Sequence, residues 1–389
     1  MSIALQYGIH FKRPLFTAEA LGITRFQEQC ERTSIQYSGG TMIDKFKSRI
    51  RDTVASEQQT VYVDDFKNFL HLASSSQEDV DTVVNLCKRF QSQGKGARFS
   101  NFAIGPVIMR YFHLVQRPAE ALQVFTNAQS EGLFLQFSSF KILMDLLFEN
   151  GMYNEVLGVF DVLKEMKIGG YSYHTNCSTL ALAACYKLDT KESYERGKQI
   201  VDEILNAGGV VSQKAFAFLA DLAIRQNDPI QALDIYSTNS SSHYSVVNIK
   251  VLALSKLNRP EDTFPIIKRA LGREDQNKRT QLGSDVLSEL HEAINRVEDS
   301  VLKDELNSEL QKIEKAMKEA NRITDKNCGQ ELEGESSLLA AAIISSVLIA
   351  ETSDSIVGRC CSRDKAYFWS SLVIGPMSDR NDFDLLILE

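Results

Sequence analysis

A period of 35 residues is the feature that most constrains this chain. The stretches 103–137 and 138–172 share one pattern: an apolar run, a short break and a second amphipathic segment. Core residues recur at that spacing, pairing Ala121 with Val156, Leu122 with Leu157, and Phe125 with Phe160. A helix, a turn and a helix at a fixed period are typical of a solenoid, whose units bury their apolar faces against neighbouring units. The sequence therefore predicts an all-α solenoid of helical-hairpin repeats.

Weaker copies of the unit flank the two clear repeats. A later unit around Ala232 continues the pattern, and a degenerate unit precedes residue 103. The irregular unit at 173–208 is expected to hold residues 191–194 in an extended turn. Proline recurs near the start of a second helix, where it costs least, in three units: Pro118, Pro229 and Pro260. We therefore assign residues 41–281 to the solenoid, with 103–137 and 138–172 as its clearest repeats.

Residues 282–326 change in character and predict a C-terminal amphipathic, coiled-coil-like helix. Apolar residues step by three and four positions, and charged residues fill the other faces. The pattern fits either one long helix or a helical hairpin broken near Asp299 and Ser300. Such a segment either caps the open end of the solenoid or makes a coiled-coil contact. We favour the cap, because it needs no partner.

The two ends of the chain differ in composition from the solenoid. The first eighteen residues contain no Asp or Glu and carry Lys12 and Arg13. This is typical of a mitochondrial presequence within the segment 1–40, with an ordinary N-terminus as the alternative. Residues 327–389 form an atypical tail that is predicted to be disordered or isoform-specific. Its apolar run, 338–350, is too short to cross a bilayer as a helix, so no membrane span is predicted.

The charge of the chain neither announces nor excludes a nucleic-acid partner. The formal net charge is −8, of which −6 lies in residues 327–389 with their ten acidic and four basic residues, leaving −2 for residues 1–326. The repeats are therefore near neutral, without the basic excess that would indicate a polyanionic ligand. The seven cysteines are scattered and include no CxxC pair. Neither a zinc ribbon nor a disulfide framework is predicted, and a reducing compartment is expected.

The repeats resemble those of the pentatricopeptide repeat family, which are 35-residue helical hairpins. Its Ala-Leu-x-x-Phe core is present as Ala121-Leu122-x-x-Phe125, Val156-Leu157-x-x-Phe160 and Ala232-Leu233-x-x-Tyr236. The pairs Thr175-Asn176 and Val247-Asn248 resemble the opening of the family's first helix. The resemblance covers roughly residues 61–271. It implies a right-handed superhelix like those of pentatricopeptide and tetratricopeptide repeats.

The resemblance also implies that the first helices bind single-stranded RNA, with two or three side chains of each unit contacting one base. By position, the first-helix candidates are Pro106, Lys141, Asn176, Ala217 and Asn248, and the closing candidates are Gln136, Tyr171 and Ser212. Asn176 and Asn248 have the polar identity that base reading prefers. Lys141 and Arg110 would add phosphate contacts. The predicted RNA-binding set is therefore Asn176, Asn248, Lys141, Arg110 and Ser212.

Several of these residues also have simpler interpretations. Asn176 and Asn248 are equally suited to capping a helix. His174, Cys177 and Cys185 match no known zinc-ligand spacing, so neither a metal nor another cofactor is predicted. No Ser/His/Asp triad or pair of carboxylates is supported by spacing alone. We therefore predict no catalytic residue and no enzyme activity.

The resemblance thus implies a non-catalytic RNA-binding protein of the mitochondrial matrix. Such a protein would act in RNA maturation, processing or stability and support expression of the respiratory chain. Its partners would be single-stranded mitochondrial RNA and, in addition, mitochondrial RNA-processing or ribosomal proteins. The alternative is a protein-interaction scaffold in mitoribosome or complex assembly. The near-neutral repeats and the few base-reading residues favour the scaffold, whereas the 35-residue period and the two asparagines favour RNA.

Overall fold

The computed structural model describes residues 15–37, 40–56, 59–93, 103–128, 133–168, 173–236, 244–272, 281–320 and 322–324. Within these ranges the chain forms seventeen α-helices and one pair of two-residue parallel strands, β1 (Leu282–Gly283) and β2 (Ile323–Thr324). The helices are α1 (Ala18–Leu21), α2 (Ile23–Gln36), α3 (Gly40–Ala55), α4 (Val63–Leu72), α5 (Gln77–Ser92), α6 (Gly105–Leu114), α7 (Pro118–Ala128), α8 (Phe137–Glu149), α9 (Tyr153–Met166), α10 (Thr175–Leu188), α11 (Lys191–Asn206), α12 (Gln213–Arg225), α13 (Pro229–Ile235), α14 (Tyr244–Lys256), α15 (Thr263–Leu271), α16 (Ser284–Asn295) and α17 (Ser300–Glu319).

Consecutive helices pair into antiparallel hairpins, and the hairpins stack in chain order. The first helices form a row in which α4, α6, α8, α10, α12, α14 and α16 each contact the next. The second helices pack behind this row, as α9 does against α8 and α10. The predicted all-α solenoid of helical hairpins is confirmed.

A left-handed residue ends the first helix in five consecutive hairpins. These positive-φ positions are Gln116, Gly151, Asp189, Asn227 and Asn258. Because a left-handed residue stops a helix and reverses the chain, each one sets the turn into the second helix. Neighbouring turns also contact each other: the Asn150 amide donates to Gln116 Oε1 at 3.2 Å. Pro118 and Pro229 begin α7 and α13, and Pro260 begins a short 3₁₀ turn before α15, which confirms the predicted placement of all three.

The predicted extended turn at residues 191–194 is wrong, because these residues are the first turn of α11. Thr190 caps the helix, and its hydroxyl oxygen accepts a hydrogen bond from the Ser193 N–H at 3.1 Å. The Ser193 hydroxyl oxygen accepts the Thr190 N–H in return, also at 3.1 Å. This reciprocal pair satisfies two N–H groups that a helix start otherwise leaves without partners, so the helix begins here.

The C-terminal segment is a hairpin and not one long helix. Asp299 caps α17, accepting a hydrogen bond from the Val301 N–H at 2.9 Å, and residues 296–299 separate it from α16. Helix α16 contacts α14 and so continues the row of first helices. The imidazole Nε2 of His291 lies 2.5 Å from Glu314 Oε1 and connects the two helices of the hairpin. Among the described residues, no helix combines the length and apolar composition that crossing a membrane requires.

The described part of the N-terminal region contains three helices, α1, α2 and α3. Helix α2 contacts α4, and α3 contacts α5, so these two helices add a hairpin before the first predicted unit. Residues 1–14 and 325–389 lie outside the described residues, and with them the first fourteen residues of the predicted presequence segment 1–40 and the predicted tail. The assignments of those two segments remain predictions.

His71 makes the packing of α2 against α4 dependent on pH. Its ring packs edge-on against Phe26 at 5.4 Å, and its Nδ1 lies 3.2 Å from the Thr33 hydroxyl, whose proton is given to the Gln29 carbonyl. Burial, together with the positive charge of Lys67, lowers the pKa of His71 from 6.5 to about 4. Between these values the unfolded chain binds more protons than the folded one. The free energy of unfolding should therefore fall as the pH decreases from about 6.5 to 4.

Urea unfolding of the wild type and of His71→Gln at several pH values between 7 and 4 measures this effect. The wild type should lose more stability on acidification than the variant, by at most about 1.4 kcal/mol for each pH unit. The glutamine variant is the control, because it keeps a hydrogen-bonding side chain that does not titrate. Parallel pH profiles for the two proteins would contradict this assignment.

Candidate nucleic-acid interface

Arg110 and Lys141, the two predicted phosphate contacts, reach the same short stretch of backbone. Arg110 lies on α6 and Lys141 on α8, the next first helix, and both side chains are half-buried. Arg110 Nε donates to the Leu21 carbonyl at 3.0 Å, and Lys141 Nζ donates to the Ala20 carbonyl at 2.7 Å. These carbonyls belong to the last two residues of α1. The structure therefore brings the two cations together around neighbouring oxygen acceptors.

The segment that supplies those oxygens crosses the first helices near the N-terminal end of the solenoid. We call residues 15–22 the N-terminal strap. Its anchors, Leu15 and Leu21, are each only 2% exposed. The strap ends at Gly22, which has a left-handed φ of 71° and turns the chain into α2. The guanidinium of Arg110 packs so closely on Gly22 that a Cβ there would lie 2.9 Å from its Nη2.

An aromatic pair lies at the N-terminal ends of the neighbouring first helices α8 and α10. The Phe137 ring, at the start of α8, stacks on His174, the N-cap residue of α10, with ring centroids 4.9 Å apart and an interplanar angle of 30°. Burial, and next the charge of nearby Lys141, lower the pKa of His174 below 6.5, so its ring is neutral at physiological pH. A neutral, half-buried aromatic stack beside a lysine is the kind of surface on which a nucleobase stacks.

Asn176 lies next to this pair in the first turn of α10. It is half-buried and is the second residue of the helix, whose N-cap is His174. The capping interpretation of Asn176 is therefore wrong, because another residue occupies the cap position. Its amide remains the base-reading candidate at this end of α10.

The remaining predicted side chains form hydrogen bonds to other parts of the protein. Asn248 is fully buried within α14 and donates from Nδ2 to the Gln281 carbonyl at 3.1 Å, so it does not cap this helix either. Ser212 caps α12 and shares a hydrogen bond of 2.7 Å with Thr179 of α10. Both join one hairpin to the next. We therefore leave these two residues out of the RNA-binding set that we carry forward.

The other candidate positions add little to this surface. Pro106 and Ala217 are buried, Gln136 is the N-cap residue of α8, and Tyr171 lies outside the described residues. Residues 177–186 of α10 are buried without a break. Cys177 and Cys185 belong to this stretch, and burial raises the pKa of each thiol to about 12. Helices α8 and α10 are therefore more exposed near their N-terminal ends, where Lys141, His174 and Asn176 lie, than along their C-terminal halves.

Sequence reasoning missed both the strap and the aromatic pair. The strap contacts join residues 89 and 121 positions apart, and no local pattern announces such a contact. The stack could in principle have been predicted from the sequence, because Phe137 and His174 are 37 positions apart, close to one repeat length. Aromatic or histidine residues at matching positions of successive units are the signal that would have indicated it.

A family model and a solved structure each match part of this chain. A sequence model of the family described as mitochondrial 28S ribosomal protein S27 matches residues 42–205. Among solved structures, the crystal structure of the pentatricopeptide repeat protein PPR10 from maize aligns with a TM-score of 0.46 and 14% sequence identity, covering 79% of this chain and 42% of that one.

Curated relatives share one name. Pentatricopeptide repeat-containing protein 2, mitochondrial, from Xenopus laevis is 29% identical over 263 residues, which are 67% of each chain. The protein of that name from Mus musculus is 28% identical over 262 residues, again 67% of each chain. The Homo sapiens protein is 25% identical over 301 residues, covering 76% of this chain and 75% of its own. The predicted resemblance is confirmed: the chain is a homologue of the proteins named pentatricopeptide repeat-containing protein 2.

Proposed function

We propose that this chain binds single-stranded RNA in the mitochondrial matrix and catalyses no reaction. It would act in the maturation, processing or stability of RNA and so support expression of the respiratory chain. Its homologues are named as mitochondrial pentatricopeptide repeat proteins. The mechanism is occupancy: a bound single-stranded segment presents a defined end to nucleases and processing enzymes.

The convergence of Arg110 and Lys141 is the observation that carries this proposal. Both cations bind backbone carbonyl oxygens that lie one residue apart. Phosphate oxygens are acceptors of the same kind and carry more negative charge, so they form stronger hydrogen bonds to the same donors. An RNA backbone laid across α6 and α8 would place its phosphates where the carbonyls of Ala20 and Leu21 now lie.

The first turn of α10 supplies the contacts that a base requires. A nucleotide next to the phosphate at Lys141 would meet the Phe137–His174 stack and the Asn176 amide. Stacking on an aromatic face tolerates any base, whereas an amide hydrogen-bonds selectively to a base edge. With one amide in the set, we expect weak sequence selectivity confined to a few nucleotides.

RNA and the strap compete for this surface, because both would bind Arg110 and Lys141. RNA cannot reach Arg110 and Lys141 until the strap moves away from them, and the buried Leu15 and Leu21 oppose that movement. The measured RNA affinity therefore includes the cost of displacing the strap. Variants that loosen the strap should tighten RNA binding.

Replacing Lys141 by glutamine should weaken RNA binding. The variant keeps a donor for the Ala20 carbonyl but loses the charge, so the strap contact persists while the phosphate contact weakens. We expect the Kd of a fluorescein-labelled, 12-nucleotide single-stranded RNA to rise about tenfold. The slope of log Kd against log salt concentration should decrease by about 0.7. Fluorescence anisotropy of the full chain measures both quantities.

One further test variant and two matched controls complete this experiment. Lys164→Gln removes a lysine from the second helix α9 and should leave the Kd unchanged. Gly22→Ala strains the left-handed turn against Arg110 and should lower the Kd, whereas Gly208→Ala, at φ 72° with no neighbour within 4 Å of its Cβ position, should not. Equal affinities for the wild type, Lys141→Gln and Gly22→Ala would rule out this surface as the RNA site.

The second candidate function is a protein-interaction scaffold at the mitochondrial ribosome. The match of residues 42–205 to the ribosomal protein S27 family supports it. On the second-helix side, α3 and α5 form a groove of about 590 Å³ whose lining includes Arg51, Lys88 and Arg89, a basic surface suited to an acidic protein segment. Co-sedimentation of the full chain with mitochondrial small ribosomal subunits, lost in Lys88→Glu and kept in Lys141→Gln, would favour the scaffold.

A further inference from the structure

Three metal-binding side chains meet between α6 and α8, the first helices of the two clearest repeats. His113 Nε2 lies 2.9 Å from Asp145 Oδ2 and 3.7 Å from Glu149 Oε2. Asp145 and Glu149 are one helical turn apart on α8, so both carboxylates extend from the same face. One donor atom from each residue lies within 4.8 Å of the others. Among the described residues this is the one group of three or more His, Cys, Asp or Glu side chains with that geometry.

Asp145 is the least explained member of this group. Its side chain is completely buried, and its second oxygen, Oδ1, has no hydrogen-bond partner within the described part of the chain. A buried carboxylate oxygen without a partner costs free energy, and native proteins rarely retain one without a reason. A bound cation would supply the missing partner.

The composition of the group also suits a cation. It combines one imidazole with two carboxylates, which supply the anionic oxygens that a divalent ion prefers. The cluster also lies in the last turns of α6 and α8, whose C-terminal ends carry partial negative charge and favour a cation. A divalent ion bound to the neutral imidazole and both carboxylates would bring the total charge to zero.

We propose that His113, Asp145 and Glu149 bind a divalent transition-metal ion such as zinc or manganese. Ligands bonded at about 2.0–2.1 Å to a tetrahedral ion lie about 3.4 Å apart, and the two measured separations, 2.9 and 3.7 Å, bracket this value. One imidazole nitrogen and two carboxylate oxygens are a donor set that suits these ions. Glu149 is 17% exposed and faces solvent, so ions can enter and water can complete the coordination on its side.

Such an ion would join the two clearest repeats at a fixed distance. Its ligands come from adjacent first helices, so binding couples the positions of α6 and α8, which also carry Arg110 and Lys141. The ion would therefore fix the relative placement of the two cations that we assign to RNA. The metal site itself does not depend on that assignment and is tested without RNA.

Metal titration of the full chain tests the proposal. Protein treated with EDTA and desalted is titrated with MnCl₂ and separately with ZnCl₂ by calorimetry, and its Tm is recorded with and without each ion. Mn²⁺ is included because it binds thiolates weakly, which keeps cysteines such as Cys328, Cys360 and Cys361 out of the measurement. We expect about one ion bound per chain and a Tm that rises with metal concentration.

Glu149→Gln is the decisive variant, because Glu149 is partly exposed and its loss should leave the fold intact. It should weaken Mn²⁺ binding at least tenfold and keep the metal-free Tm close to that of the wild type. His113→Gln should also abolish binding. His291→Ala is the matched control: His291 pairs with Glu314, and among the described residues no third donor completes a group with them, so this variant should bind like the wild type. No uptake by the wild type, or equal uptake by Glu149→Gln, would overturn the proposal and leave a buried histidine–aspartate pair.

Discussion

Replacing Phe125 by alanine is expected to lower the free energy of unfolding by about 3–5 kcal/mol. The Phe125 side chain is 1% exposed and packs edge-on against Phe140 of the next hairpin, with ring centroids 5.1 Å apart. Phe134 lies on its other side at 5.6 Å. Truncation therefore leaves a cavity at the contact between two repeats, where a solenoid gains much of its stability. Urea unfolding followed by far-UV circular dichroism measures the loss.

Two further variants show whether position in the repeat determines this effect. Phe160 lies 35 residues later and is also 1% exposed, so Phe160→Ala should cost a similar amount. Ile230 lies on a second helix but is 62% exposed. Its replacement by alanine should lower the free energy of unfolding by no more than about 0.5 kcal/mol. If Phe125→Ala behaved like Ile230→Ala, the proposed packing between repeats would be contradicted.

Replacing Gly105 by alanine should destabilise the protein by about 1–3 kcal/mol, although the change adds only a methyl group. A Cβ at this position would lie 2.7 Å from the Leu133 carbonyl oxygen, 2.9 Å from Phe134 Cδ1 and 3.0 Å from Ser139 Oγ. The nearest of these atoms belongs to the backbone, which cannot move aside as a flexible side chain does. The start of α6 must therefore move away from α8. Chemical unfolding of the purified variant measures the effect.

Gly158→Ala is the control, because the same substitution has the opposite expected sign. Gly158 lies exposed within α9, and a Cβ there meets no atom within 4 Å. Alanine restricts the unfolded chain and favours the helix, so the variant should be more stable by about 0.5–1 kcal/mol. Destabilisation by both substitutions would mean that the helix, and not the close approach at Gly105, determines the result.

The helical hairpins could be predicted because their signals are local. Serine is a residue type that favours the N-cap, and the Ser76 hydroxyl caps α5 by accepting the Asp79 N–H at 3.3 Å. Acidic residues favour the first turn of a helix, and Asp64 and Asp65 lie in the first turn of α4. The failure at Thr190 has the same local origin. Its capping partner is Ser193 and not the usual Glu or Gln, so the pattern of residue types was not recognised.

The candidate site was much harder to predict from the sequence. Which of its residues can contact RNA depends on burial, which the sequence does not display. Asn176 and Asn248 occupy the same position of their units, yet one lies near the surface at a helix start and the other is completely buried. The loop residue Gln281 reaches Asn248 only after the hairpins have stacked. Repeat position predicts which helix a residue occupies, but a neighbouring unit determines whether solvent or RNA can reach it.

The sequence by itself determined the all-α class, the hairpin repeat, the proline-initiated second helices and the resemblance to pentatricopeptide repeats. Each depends on interactions within a few residues, or on a period that a linear chain displays directly. Only the tertiary structure determined that the strap carbonyls accept hydrogen bonds from Arg110 and Lys141, and that His113 lies beside Asp145 and Glu149. These contacts join residues 32 to 121 positions apart. Stacking of the hairpins sets their distances, and no local pattern records how one unit lies on the next.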